Sequence, residues 1–256
     1  MMSAAEPGAL IVLDGTMNLR DLGGWPTTSG SAVAYGQFYR SDRLSDLSPT
    51  DLRQLEDRGL TTVIDLRYAA EVHEHPSRLW TTVQHHHQIP MGGQLADQRS
   101  FIDRVLAGEL DEVTDDDVAV SYIEMLTDHP AEFGQATEAM LAAGPALFHC
   151  TAGKDRTGLL AMLIMSSVGV DDQHILDDFD LSNRYRAARR VEQLRPTFET
   201  NGLDIERFVP ALSAPVTAME RAMTWISSSH GSAEQYLGDA GVIEAGPRLR
   251  GRLLQH

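Results

Sequence analysis

Cysteine is almost missing from this sequence: among 256 residues only Cys150 carries a thiol. One thiol excludes an intrachain disulfide and any multi-cysteine zinc or iron–sulfur cage. Long apolar runs are missing too. The longest near the middle of the chain, Leu159–Met165, falls well short of the ~20 residues that a membrane-spanning helix needs. Met1–Leu13 holds no Lys or Arg, so it does not read as a secretory signal or an Arg-rich transit peptide. Cytoplasmic residence is therefore the expectation, with export by a signal-less route left open. Positive charge is scarce as well: 21 Lys and Arg against 37 Asp and Glu give a net charge of −16. Nucleic-acid and anionic-membrane binders usually carry the opposite sign, so neither partner is expected. An anionic substrate would need a local cationic site that outcompetes this global field.

A hydrophobic share of 42% with 23% charged residues fits a globular chain and rules out a wholly disordered one. No repeat, low-complexity tract or linker interrupts it, so residues 1–256 are expected to form one domain. Met17–Gly24 reads as an extended segment ending in a turn. Ser48-Pro49-Thr50-Asp51 is a helix start, with a capping hydroxyl, proline at the first helical position and then an acid. Strands are expected at Thr61–Leu66, Gln88–Met91 and Ala146–His149, and helices near Ser100–Ala107, Val118–Thr127 and Ala131–Ala143. Beyond residue 157 the pattern is almost wholly helical. Short strands alternating with helices predict an α/β domain. Its mostly parallel central sheet would be flanked by helices and extended by a helical C-terminal half.

The chemistry gathers at residues 149–158: His149-Cys150-Thr151-Ala152-Gly153-Lys154-Asp155-Arg156-Thr157-Gly158. An apolar strand precedes this stretch and an apolar helix follows it. A loop in that setting points backbone N–H groups at a common centre, and the helix aims its positive end there. Those dipoles and Arg156 favour Cys150 as the attacking thiolate. The planar fork of Arg156 can grip two phosphoryl oxygens and hold them as charge spreads in the transition state. Gly153 permits close backbone approach, and the Thr157 hydroxyl is placed to bond the thiolate. Thr151, Ala152, Gly153, Lys154 and Thr157 are thus the candidate substrate-binding residues of the loop.

The stretch resembles the Cys-x5-Arg-[Ser/Thr] signature of cysteine-dependent phosphatases. More closely, it is similar to the His-Cys-x-x-Gly-Lys-Asp-Arg-Thr-Gly loop of the atypical bacterial protein tyrosine phosphatases and their lipid-phosphatase-like relatives. Asn18–Gly24, Tyr39-Arg40-Ser41, Asp65-Leu66-Arg67 and the Asp177–Asn183 helix also look like that family, so the likeness spans about residues 10–240. Phe179 departs from it, standing where a tyrosine is expected. The resemblance implies a cysteine-phosphatase-like fold, no cofactor or metal, and activity on phosphotyrosine, phosphoserine/threonine or phosphoinositides in varying mixtures.

A general acid must protonate the leaving oxygen and later activate water. Ordinary tyrosine phosphatases take it from a Trp-Pro-Asp loop, which this sequence lacks; Trp25-Pro26-Thr27 has no acid. Two candidates remain. Asp155 lies inside the loop, where the resemblance favours it, and Asp65 ends a predicted strand, where α/β sheets gather functional residues. Either carboxylate could instead brace a nearby cation. Lys154 suggests a more highly charged substrate or a partner for Asp155. Arg40 and Arg67, in the matching segments, are weaker candidates for holding substrate, with surface salt bridges as the alternative.

Other polar clusters invite plainer readings. His85-His86-His87 cannot converge on one metal along an extended chain and reads as a strand edge. Asp115-Asp116-Asp117 complements the dipole of the helix it precedes. Arg184, Arg186, Arg189, Arg190 and Arg195 could flank the pocket or balance an acidic surface. The sequence thus predicts a phosphatase working through a phosphocysteine on phosphoproteins. A phosphoinositide phosphatase and a non-catalytic phosphoprotein-binding module are the alternatives.

Overall fold

The computed structural model describes residues 6–91, 101–142 and 144–254. Five short strands form one sheet: β1 (Arg20–Asp21), β2 (Phe38–Ser41), β3 (Thr62–Asp65), β4 (His85–Gln88) and β5 (Ala146–His149). Their order is β1-β2-β5-β3-β4. β1 is antiparallel to β2, and every other pair is parallel. The expected mostly parallel sheet is present.

Helices occupy most of the rest. Before the last strand come α1 (Pro49–Asp57), α2 (Ala69–Glu74), α3 (Phe101–Leu106), α4 (Asp115–Asp128) and α5 (Pro130–Ala142). After it come α6 (Asp155–Ser167), α7 (Asp172–Ser182), α8 (Ala188–Thr200), α9 (Val209–Leu212), α10 (Val216–His230), α11 (Ala233–Asp239) and α12 (Ala245–Leu253). A π-turn (Asn183–Ala187) joins α7 to α8, and a 3-10 turn (Ile205–Phe208) precedes α9. Among the described residues no helix is long and apolar enough to cross a membrane.

Period-two alternation explains how the sheet is covered. Ile64, Ala146 and Phe148 point into the larger core with α4, α5, α6 and α10 to α12. Val63, Leu147 and Tyr39 point the other way, against Leu55 of α1, Leu60 and Trp80. α6 is apolar nearly all round and runs through the larger core, with Leu159–Met165 buried throughout. A third cluster joins α3, α8 and α9 through Val105, Leu194, Phe198, Phe208 and Leu212.

Local chemistry starts these helices. Ser48 caps α1 in a reciprocal box with Asp51, and Gly59 follows its end at φ +67°. Thr114 and Asp117 do the same for α4, so Asp115-Asp116-Asp117 is a helix start. Asp115 also accepts from Thr217, and Asp116 pairs with Arg221.

Two strand expectations need correction. The fourth strand is His85–Gln88, not Gln88–Met91. Ile89 and Met91 are apolar because they pack into the core just past the strand (7% and 0% exposed), while the strand itself is a polar edge. β2 was not expected as a strand at all; its Arg40 is buried because a distant partner neutralises it.

The strand order places β5 between β2 and β3, with chain connections leaving in opposite directions. Parallel sheets open a crevice at the carboxyl ends of strands at such a switch point. Ser41 and Asp65 are both in register with His149 there, and Cys150 is the next residue.

Candidate active site

The bend between β5 and α6 is built around its carbonyl groups. The Gly153 carbonyl accepts from Asn18 Nδ2 at 3.0 Å and from Arg40 Nη2 at 2.8 Å. The Ala152 carbonyl accepts from Asn18 Nδ2 at 3.4 Å, and that of Thr151 from the Arg43 amide at 3.3 Å. In a trans peptide the carbonyl and the next N–H point in opposite directions. Carbonyls drawn outward at 151, 152 and 153 therefore turn the amides of Ala152, Gly153 and Lys154 inward. The Gly153 amide donates to Cys150 Sγ at 3.2 Å. The first turn of α6 adds N–H groups with no acceptor inside the helix. Only glycine fits at 153: its φ is +67°, and a Cβ would lie 2.6 Å from the Ser41 and Asp42 backbone.

Arg156 supplies the cation, and its five N–H groups can be followed one by one. Nη1 and Nη2 form a bidentate pair with Glu71 (2.7 and 2.9 Å). The remaining Nη1 hydrogen meets the Leu66 carbonyl at 3.2 Å. Nε–H and the second Nη2–H lie together on the other edge, with no partner among the described residues. That edge is the two-pronged shape that grips two oxygens of a phosphoryl group. The guanidinium stacks 4.7 Å from the centre of the Tyr68 ring. Burial opposes its charge, but the Glu71 bonds and the charge of Cys150 outweigh it, and its pKa is raised. Glu71 also accepts from the Tyr68 amide at 2.8 Å and from the Thr151 hydroxyl. One carboxylate thus caps α2, aims Arg156 and ties down the loop.

Asp155 stands at the rim, its side chain 29% exposed. Its Oδ1 accepts from the Tyr122 hydroxyl at 2.7 Å and lies 3.3 Å from Lys154 Nζ. Lys154 itself turns away from the loop centre, donating to the carbonyls of Ala211 (2.6 Å) and Ser213 (2.5 Å). Burial lowers its pKa.

Four sequence candidates are fully buried. Asp65 is fully buried, with both oxygens taken by Arg67 (2.8 and 2.7 Å). Burial opposes its charge, yet His149 and Arg67 hold its carboxyl below the usual range. Arg67 also donates to the His75 carbonyl and to Ser77, so the structure spends both residues on bracing the end of β3. Arg40 is buried too, bonding Asp178 Oδ2 at 2.5 Å and the Gly153 carbonyl. It supports the loop from beneath, and burial beside Arg20 lowers its pKa to about 10. The Thr157 hydroxyl is buried and hydrogen-bonds neither Cys150 nor any other described group. Burial likewise pushes the His149 ring down to about 4, leaving it neutral at neutral pH.

The support behind the loop joins the Asn18–Gly24, Tyr39-Arg40-Ser41 and Asp177–Asn183 segments. Asp178 bridges Arg40 and Arg20, bonding Arg20 Nε at 2.9 Å, and Arg20 also holds the Asn18 side chain at 2.7 Å. Burial opposes the Asp178 charge, but the two arginines keep its carboxyl below the usual range. Sequence reasoning missed Glu71, whose one local signal is the Tyr68-x-x-Glu71 capping spacing, and Tyr122, which has none. Among the described residues no group of three His, Cys, Asp or Glu is placed to hold a metal. His85-His86-His87 forms the exposed edge β4, with alternate rings 85 and 87 stacked 6.3 Å apart.

The tyrosine phosphatase family model matches residues 11–255, and the chain belongs to that family. Among curated relatives, a putative tyrosine-protein phosphatase of Cupriavidus necator is 29% identical over 250 residues, covering 95% of this chain and 88% of its own. The triple specificity protein phosphatase PtpB of Mycobacterium tuberculosis is 31% identical over 278 residues, covering 94% and 98% respectively. The crystal structure of P. aeruginosa TpbA matches at a TM-score of 0.27 with 19% identity, covering 61% of this chain and 78% of that one.

Proposed function

We propose that the protein hydrolyses phosphotyrosine, and phosphoserine or phosphothreonine beside it, through a phosphocysteine intermediate. Cys150 Sγ attacks phosphorus while the ester P–O bond breaks. Asp155 gives its proton to the departing oxygen, and Arg156 with the inward amides holds the three equatorial oxygens. In the second step the Asp155 carboxylate takes a proton from water, which attacks phosphorus. The S–P bond breaks, and phosphate leaves.

The observation that carries this reading is Cys150 Sγ under the Gly153 amide at 3.2 Å, beside Arg156, whose charge is favoured by that of Cys150 and whose Nε–Nη2 edge Glu71 leaves free. Asp155 is preferred to Asp65 as the acid, because Asp65 is enclosed and bonded through both oxygens to Arg67. The name of the mycobacterial relative supports breadth beyond phosphotyrosine. Lys154 left open a more highly charged substrate or a partnership with Asp155, whose Oδ1 lies 3.3 Å from its ammonium. That ammonium is also held by the Ala211 and Ser213 carbonyls, which favours phosphoprotein substrates over more highly charged ones. A non-catalytic binding module would not need Cys150 beneath an amide donor.

The test is a panel of wild type, Cys150→Ser, Asp155→Asn and Asp65→Asn against phosphotyrosine and phosphoserine peptides and phosphoinositides, with chelator throughout. Cys150→Ser should be inactive, and acid quenching of the wild type should trap phosphate on Cys150. Asp155→Asn should lose about 10²–10⁴-fold on esters with poor leaving groups. Residual turnover by Cys150→Ser, or chelator-sensitive wild-type turnover, would refute the mechanism. Faster hydrolysis of phosphoinositides than of either peptide would reverse the substrate assignment.

A further inference from the structure

Tyr122 lies on α4, remote in sequence from the loop, and is 1% exposed. Its hydroxyl donates to Asp155 Oδ1 at 2.7 Å, and its ring meets Phe179 edge-on at 6.2 Å. Buried Tyr hydroxyls need a partner, yet this one could have been met by any carbonyl. It instead reaches the carboxylate of Asp155 at the rim. Lys154 Nζ approaches the same oxygen, at 3.3 Å, while Asp155 Oδ2 has no hydrogen-bond partner among the described residues.

We propose that Tyr122 is a positioning residue that fixes which oxygen of Asp155 carries the catalytic proton. The inference rests on the reading of Asp155 as general acid. A proton on Oδ1 would face a hydroxyl hydrogen and an ammonium, so the acid form keeps its proton on Oδ2. From there it passes to the ester oxygen as the P–O bond breaks. The carboxylate left behind keeps Oδ1 anchored and has Oδ2 free to take a proton from water in the second step. Burial and the neighbouring Asp155 charge push the Tyr122 hydroxyl well above its ordinary range, so it remains a donor throughout. The acid is therefore aimed by a buried side chain of α4 rather than delivered by a moving loop, and its geometry is set before substrate arrives.

The experiment compares kcat/KM of wild type, Tyr122→Phe and Asp155→Asn over aryl phosphates whose leaving groups run from phenol to dinitrophenol. Phenylalanine keeps the ring packing and removes only the donor. Tyr122→Phe should lose roughly tenfold on phenyl phosphate, with the loss shrinking steadily as the leaving group needs less protonation. Asp155→Asn should show the same trend more steeply, and Tyr122→Phe should add nothing within Asp155→Asn. A structural role would lower every substrate by the same factor. That uniform loss, or no loss, overturns the proposal for Tyr122 while leaving a steep Asp155→Asn trend intact. A flat Asp155→Asn trend removes the acid reading and this inference together. Should Tyr122→Phe fail to fold, 4-aminophenylalanine in place of Tyr122 retains ring and donor. It should keep the wild-type trend more nearly than Asp155→Asn does, and a trend as steep as that of Asp155→Asn overturns the proposal.

Discussion

Substituting Glu71→Gln isolates what aims Arg156. The carboxylate accepts four hydrogen bonds: two from Arg156, one from the Thr151 hydroxyl and one from the Tyr68 amide. A glutamine of the same shape turns one acceptor oxygen into a donor facing an arginine N–H. The two side chains are 11% and 19% exposed, so water replaces little of what is lost. Losing one charge-assisted bond and the pair's charge should cost about 2–4 kcal/mol near neutral pH. At about 2–4 °C per kcal/mol for a chain of this size, Tm should fall by about 4–16 °C. A guanidinium freed by about 1 Å should also cost up to about 10²-fold in kcat/KM. The sign of the pH dependence follows from Glu71. Burial opposes its charge, but the bonds from Arg156 and Thr151 hold its carboxyl below the ordinary glutamate range. Its contribution is therefore complete above the unfolded value of about 4.3 and is lost as pH falls through the lower folded value. Glutamine mimics the protonated form. The Tm gap between wild type and Glu71→Gln should be wide at about pH 7 and narrow toward about pH 3, read by thermal melts across pH. A gap that keeps its width in acid, or no gap near neutrality, would refute the assignment.

Two further outcomes test the loop and its support. Gly153→Ala places a methyl 2.6 Å from the Ser41 and Asp42 backbone at φ +67°. It should cost about 2–4 kcal/mol in urea unfolding and reduce kcat more than KM rises; wild-type stability and activity would contradict the close approach. Asp178→Asn leaves Arg20 and Arg40 as two buried cations without their shared anion. A loss of about 3–5 kcal/mol is expected, measured by chemical denaturation, and a change within error of zero would contradict the network.

Legibility from sequence tracked how local the deciding interaction is. β3 was readable because Thr61–Leu66 is β-branched and buried on both faces. The loop at 149–158 was readable because its glycine, cysteine and arginine sit at fixed short spacing between two apolar elements. The fourth strand was displaced because the apolar signal of Ile89 and Met91 belongs to the residues after it. Arg40 stood open between a substrate contact and a surface salt bridge, since nothing nearby shows that it is neutralised in the interior by Asp178, 138 residues away. The Asp65–Arg67 pair spans only two residues, and bracing of Arg67 was an open reading for Asp65. Tyr122 meets Asp155 from 33 residues away, across a sheet strand; no periodicity or spacing encodes such a contact.

These long-range contacts also explain how a chain of net charge −16 can hold an anion. At physiological salt, charges beyond about 8 Å are largely screened, so the acidic surface acts weakly at the loop. The nearby carboxylates act strongly, and their placement decides the sign of the local field. Glu71 occupies the Arg156 edge that faces away from the free Nε and Nη2 hydrogens, and Asp178 sits between Arg20 and Arg40 behind the loop. Each anion is spent on the rear of a guanidinium, where it fixes orientation and offsets burial. The forward edge and the inward amides remain available. The proposed phosphate-binding face of an acidic protein is thus compatible with its charge, because the carboxylates near the loop serve as the frame on which the arginines are mounted.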